Sequence, residues 1–368
     1  MKEINAENLE DFIRGTAFLG TGGGGDPYIG RLMVQQELEK CGAITLLDPD
    51  ELTKDHFGIS LACMGAPTAF VEKLPNASAM IASMERAEKE LERKFNCIIP
   101  LEAGGINATI PLVVAARLGL PVVDGDGMGR AFPEFQMTTF NIYGADVNPF
   151  VMSDDFGNTV LLNTDAAIRT ERYGRPVCVQ MGGISQCASY PMDGPTMRET
   201  CVPRTVSLAI EIGCAIREAR SSVSADVCDA VVDYFKNASP NPRFASVLFD
   251  GKVQDVLRET TAGFAVGRAK LTALDDPGVE MVITFQNEYS RASVGDRTLA
   301  IVPDLITILD RETGEPITTE TLGYGQRVKV VAIAAAENMR SPEALEFIGP
   351  RAFSIDEDFR KLETLTWQ

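Results

Sequence analysis

Between Ala43 and Asp124 short apolar runs alternate with amphipathic stretches, and this alternation limits the fold more than any other feature of the chain. Residues 43–47, 59–64, 97–101 and 121–124 read as strands, the second closing in Gly65-Ala66-Pro67. Asn76 stands where it can cap a helix running to about Phe95, with Glu85, Arg86, Glu88, Lys89 and Glu90 on its exposed face. Asn107 stands likewise before a helix that ends at Leu118, with Gly119 as its stop. Strand, helix and strand at this spacing predict βαβ units and a parallel or mixed sheet, since parallel neighbours need a crossover of that length.

The rhythm changes further on. Thr164 or Asp165 can cap a helix through Tyr173, residues 177–181 read as a strand ending in Gly182-Gly183, and helices are expected over 202–219 and 225–236. After the break at Pro240 to Arg243 the reading from Ala245 is β-rich, with strands over 264–271, 279–285, 299–302, 305–309 and 327–332 and a turn at 310–314. The expected class is therefore α/β: a βαβ-type N-terminal domain followed by a C-terminal, β-rich α+β domain. The length of 368 residues suits two domains.

Leu19 to Pro27 reads LGTGGGGDP, with Thr21 ahead of Gly22, Gly23, Gly24 and Gly25. Glycines allow positive φ and close backbone approach, at a large entropic cost on ordering. Asp26 can cap a helix that starts at Pro27. The run is a candidate binding loop or a structural turn. It is not a P-loop, because no Gly-Lys-Ser/Thr follows, and it follows an amphipathic helix over 7–18 rather than a strand, as a dinucleotide fingerprint would require. Without a phosphate-reading lysine, no nucleotide is expected.

The formal net charge of −18 disfavours nucleic acid and anionic membrane surfaces as partners, and no apolar run is long enough to span a bilayer. The eight cysteines lack a C-x-x-C pair and most sit in apolar surroundings, which suits buried, reduced thiols in a cytoplasmic protein. His56 is the one histidine and falls in a stretch expected to be an exposed loop. Acid–base chemistry must then fall to carboxylates, cysteine, tyrosine or lysine.

Carboxylates cluster where strands are expected to end. One run is Glu102-Ala103-Gly104-Gly105-Ile106-Asn107; the other is Asp124-Gly125-Asp126-Gly127-Met128-Gly129-Arg130. Open α/β sheets bind ligands outside the carboxyl ends of their strands. If these strands are neighbours, Glu102, Asp124 and Asp126 can supply an acid and a base, or hold a hard divalent cation such as Mg²⁺ or Ca²⁺. Gly104, Gly105 and Asn107 join Thr21, Gly22 to Gly25 and Asp26 as candidate contacts to a small-molecule substrate, with Arg130 and Glu134 as flanking groups that orient it or form an ion pair. The bland alternative makes Asp124 and Asp126 an Asx-turn and Asn107 a helix cap.

These three stretches, together with Pro303 to Asp310 and Tyr324 to Val328, resemble the S-methyl thiohydantoin desulfurase family, described as hydantoinase/oxoprolinase-associated. The resemblance covers nearly the whole chain. It implies an N-terminal α/β domain over 1–167 and a C-terminal β-containing domain over 168–368. It also implies hydrolysis of a five-membered cyclic thioimidate to a hydantoin and methanethiol. The alternative is a non-catalytic accessory subunit of a hydantoinase or oxoprolinase. Such an enzyme, or a second copy of this chain, stands as a partner class.

Overall fold

A computed structural model describes residues 2–65, 73, 76–222, 226–261 and 264–365. Ala66, Pro67 and Ala225, on which parts of two expected elements fall, lie outside the described residues.

The first half is built as its alternation predicts. Its elements are β1 (Glu3–Asn5), α1 (Leu9–Leu19), α2 (Pro27–Cys41), β2 (Ala43–Leu47), β3 (Phe57–Gly65), α3 (Ala77–Leu91), β4 (Cys97–Pro100), α4 (Gly105–Leu118), β5 (Val122–Val123) and β6 (Gly125–Asp126). Asp26 caps α2 by accepting from the Tyr28 N–H at 2.9 Å, and Asn76 caps α3 by accepting from Ser78 and Ala79. These bonds satisfy amides that a helix start leaves without partners. Strands β7 (Phe150–Ser153) and β8 (Thr159–Leu162), helix α5 (Ala167–Gln180) and strand β9 (Ile184–Asp193) follow.

The first sheet runs β1-β2-β5-β4-β3-β9-β7-β8. Its centre, β2-β5-β4-β3, is parallel, and β1, β9, β7 and β8 pair antiparallel. The sheet is therefore mixed. Helix α4 is buried without a break from Gly105 to Ala115, the mark of a helix enclosed on all sides rather than one facing water.

Beyond β10 (Val202–Pro203), helices α6 (Thr205–Ser221) and α7 (Val227–Asp233) precede the second sheet. That sheet is antiparallel: β11 (Ala245–Thr261), β12 (Phe264–Ala273), β13 (Glu280–Gln286), β14 (Glu288–Val294), β15 (Arg297–Ile301), β16 (Leu305–Asp310), β17 (Pro316–Ile317) and β18 (Arg327–Ile333), in the order β15-β14-β13-β12-β11-β18-β16-β17. The α/β class with a β-rich second part is what the sequence predicts.

Three local expectations are corrected. Residues 177–181 are not a strand; Ala167–Gln180 is one helix. The run Val177-Cys178-Val179 favours a strand by propensity, but its inward positions Thr170, Glu171, Gly174 and Cys178 follow a helical period and leave Val179 57% exposed. The cap of that helix is Ala166, whose side chain makes no capping bond, rather than Thr164 or Asp165. Asn107 does not cap α4. The cap is Gly104, and Asn107 sits one turn in, with its amide used elsewhere.

Candidate functional site

The glycine run packs backbone against protein. A Cβ added at Gly22 would lie 2.4 Å from the Tyr289 ring, and one at Gly23 would lie 2.1 Å from Oε1 of Glu288. At Gly105 it would lie 2.2 Å from the Gly24 carbonyl oxygen, which accepts from the Ile106 N–H at 2.8 Å. The run thus locks the start of α4 onto the edge of the second sheet at a separation that side chains forbid. The Tyr289 N–H donates to the Thr21 carbonyl at 2.8 Å, and Thr319 donates to that of Gly22. Gly24 and Gly25 alone of the run line a cavity. Thr21, Gly22 and Gly23 lie behind it, Gly104 and Gly105 are packing positions, and Asp26 is an exposed helix cap.

That cavity opens at the carboxyl ends of β3 and β4. It holds about 50 Å³ and is lined by Cys63 and Met64, by Glu102 and Asn107, by Met128, Phe132, Glu134 and Phe135, and by Arg175, Asn287 and Glu288. Asn107 organises its floor. Its Oδ1 accepts from the Cys63 N–H at 2.7 Å; its Nδ2 donates to the Cys63 carbonyl at 3.2 Å and to Oε1 of Glu102 at 2.7 Å. One amide in the first turn of α4 therefore holds the ends of two neighbouring strands in register. Oε2 of Glu102 accepts from the Phe132 N–H at 3.3 Å. Burial raises the Glu102 carboxyl to about 8 against the pull of these two donors, with Asp126 adding a further push.

Glu288 faces Glu102 from the other sheet. It is 2% exposed, its Oε2 has no hydrogen-bond partner among the described residues, and burial and then the Glu102 charge raise its carboxyl well above the usual range. Asn287, at φ 58°, makes the tight turn between β13 and β14 that carries Glu288 inward; asparagine tolerates that conformation. The turn is pinned because Oδ1 of Asn287 accepts from the Ala265 N–H at 2.8 Å. Sequence reading missed Glu288, Asn287, Cys63 and Arg175. Between the strands expected at 279–285 and 299–302 the sequence marks no site, and only the docking of this turn against Gly23 brings Glu288 inside.

The three carboxylates expected together are separated. Asp126 is fully buried beside Glu102 but outside the cavity wall: its Oδ2 accepts from the Met128 and Gly129 N–H groups at 2.9 and 2.8 Å, holding the loop that leads to Phe132. Burial raises it to about 7. Asp124 faces the opposite way, into a second cleft of about 480 Å³ lined also by Asp48, Arg204, Ser207, Glu211 and Arg243. There Oδ1 accepts from the Ser207 N–H at 2.9 Å and Oδ2 from its hydroxyl. In an unbroken strand residues two apart share a face; here Asp124 falls between β5 and β6, and this break, after which Asp126 pairs with Val202, lets the two carboxylates diverge.

Arg130 is fully buried away from the cavity. It donates to the carbonyls of Ala131, Asp304 and Tyr289 and to Oγ1 of Thr21, so it ties the two sheets together. Glu134 lines the cavity and accepts from Gln136 Nε2 at 2.7 Å. Arg175 lines it too, paired with Glu171. Among the described residues no group of three or more His, Cys, Asp or Glu assembles as a metal site. His56 is half-buried in a turn, where its Nδ1 accepts from the Thr53 N–H at 3.0 Å. All eight cysteines are free thiols and six are buried. Among the described residues no helix is long and apolar enough to cross a membrane.

A protein from Chromobacterium violaceum, solved by X-ray crystallography, shares the fold with a TM-score of 0.81 at 22% identity, over 98% of this chain and 99% of that one. No curated protein matches the chain. The family model described as S-Me-THD-like, N-terminal domain, matches residues 7–164, and that described as S-Me-THD-like, C-terminal domain, matches residues 164–362. The chain whose two sheets meet at the Glu102 cavity thus belongs to the S-Me-THD-like family, the S-methyl thiohydantoin desulfurase family that its loops resemble.

Proposed function

We propose that this chain hydrolyses a cyclic thioimidate, such as an S-methyl thiohydantoin, to a hydantoin and methanethiol, with Glu102 as the base that activates water. The observation that carries this reading is a buried carboxyl near neutral pKa in a narrow cavity at the strand ends. A group poised near the working pH is the best placed to move protons in a transition state. By the measure in which one water needs roughly 10–15 Å³, the cavity of about 50 Å³ holds the bulk of a small ring. Met64, Leu101, Phe132 and Phe135 give it apolar walls suited to a flat heterocycle.

Water attacks the ring carbon that bears sulfur, and ionised Glu102 takes its proton. The electron pair of the C=N bond moves to nitrogen, which must be protonated. Collapse of the tetrahedral adduct breaks the C–S bond, and thiolate leaves with that electron pair and takes up the proton held by Glu102. Asn107 fixes the Glu102 carboxyl throughout, and Asp126 holds the loop behind it. Asp124 has no place in these steps.

Methanethiol release from an S-methyl thiohydantoin by the purified chain tests the reading. Turnover that falls on Glu102→Gln supports it. No turnover alone, restored by an added hydantoinase, would instead favour an accessory subunit.

A further inference from the structure

We propose that Glu288, contributed by the second sheet, is the proton donor of this site and works with Glu102 as one carboxyl pair. This rests on the thioimidate reading above, which needs a protonated group at the ring nitrogen and does not itself supply one.

Three independent features single out Glu288. It lines the same cavity as Glu102, and its Oε2 is buried there with no partner among the described residues. A buried, unsatisfied carboxyl oxygen is costly and is seldom left so without a ligand to meet it. The fold also makes room for it, since only a glycine at position 23 leaves space for Oε1. Finally, the Asn287 turn that delivers it is fixed from β12 and is no loose loop end.

The surroundings keep Glu288 protonated. Burial above all, then the charges of Glu102 and Glu320, push its carboxyl up, and Arg130 pulls it down. The Arg130 guanidinium is already spent on three backbone carbonyls and Thr21. The other charged or titratable groups of the cavity are Cys63, whose thiol donates to Gln186, Glu134, held by Gln136, and Arg175, held by Glu171. Two electrostatically coupled carboxyls in so dry a place do not both ionise readily, and the pair keeps a proton. In the reaction the Glu288 proton goes to the ring nitrogen as the C=N pair arrives there. The new hydroxyl of the adduct returns a proton to Glu288 as its oxygen becomes the carbonyl and the C–S bond breaks.

The test uses the full chain and the variants Glu288→Gln and Glu102→Gln. For catalysis, methanethiol release is followed across pH. Wild type is expected to lose activity on both sides of an optimum. Glu288→Gln should lose ~10²- to 10⁴-fold in kcat together with the alkaline fall, because the group that must stay protonated is gone. For the pair, infrared difference spectra of the substrate-free protein follow the carbonyl stretch of protonated carboxyls. Glu102→Gln should remove one such band and move the other to a lower titration midpoint. Gly23→Ala, which leaves both carboxyls in the chain but displaces Glu288, should reproduce the kinetic defect if Glu288→Gln fails to fold. Unchanged kcat and pH profile in Glu288→Gln, or a Glu288 band that titrates in the ordinary carboxylate range, would overturn the proposal. A coupled pair in the spectra of a chain that never turns over would defeat the thioimidate reading and leave the pair standing.

Discussion

Two acidic cavities lie at the strand ends of this protein, and they differ in a way that volume hides. The cleft beside Asp124 is the roomier, about 480 Å³ against about 50 Å³. Its carboxylates are nonetheless all engaged: Asp124 by Ser207, Asp48 by Arg204 and Glu211 by the Tyr234 hydroxyl. Among the described residues Arg243 there leaves Nε and Nη1 without hydrogen-bond partners, but its guanidinium lies 5.7 Å from the Phe235 ring. In the smaller cavity Glu102 keeps acceptor capacity on both oxygens, and Glu288 leaves Oε2 with none of its capacity used. On the proposed reading, carboxylates tied by donors do structural work, and those left short of donors exchange protons with a substrate.

That contrast can be broken most sharply by kinetics. Glu102→Gln should cost ~10²- to 10⁴-fold in turnover, as expected for loss of a general base. Retained turnover in this variant would remove the smaller cavity from the chemistry. Next in size is the joint between the sheets. Arg130→Met leaves the carbonyls of Ala131, Asp304 and Tyr289 without their donor in a dry place, and the folded state should lose at least about 3 kcal/mol in denaturant melts. A loss below about 1 kcal/mol would mean that water or a neighbour replaces the guanidinium easily.

A pH effect comes third. Glu102 and Asp126 are raised to about 8 and about 7 from ordinary values of 4.5 and 3.8. Between about pH 5 and pH 7 the folded chain therefore holds protons that the unfolded chain has released, so stability falls as pH rises, by up to about 1.4 kcal/mol per pH unit for each group. Denaturant midpoints at the two ends of that window should show the fall, and Glu102→Gln should flatten it. A midpoint that climbs with pH would contradict the burial of these protons. The smallest effect belongs to the larger cleft. Asp124→Asn should leave turnover unchanged and cost about 1 kcal/mol, since the amide keeps one of the two bonds to Ser207. Loss of turnover there would reverse the comparison.

Much of this was legible in the chain itself. The parallel centre of the first sheet follows from its alternation, and Asp26 and Asn76 cap the helices that follow them. Glu102 and Asn107 were visible because they follow an apolar strand, where α/β sheets bind ligands. Other parts were hidden for physical reasons. The glycine run invites a ligand by its freedom of approach, but the same freedom serves packing against Glu288 and Tyr289, and sequence does not say which body comes close. Asp124 and Asp126 are two residues apart, yet a break in the strand and the pull of Ser207 on one of them send Asp124 to the larger cleft and leave Asp126 bound to the loop behind the smaller cavity. Glu288 comes from more than 180 positions beyond Glu102 (102 to 288), and only the tertiary docking of a hairpin tip makes it a neighbour.

The central claim is that the substrate ring sits between Glu102 and Glu288. A crystal structure of the Glu102→Gln variant with an S-methyl thiohydantoin tests it most directly, because that variant is expected to bind without turning over. The account predicts the ring in the smaller cavity, with its nitrogen within hydrogen-bond distance of Glu288 and its sulfur-bearing carbon facing residue 102. A ring seated instead against Asp124 and Arg243, with the Glu102 cavity closed, would contradict it.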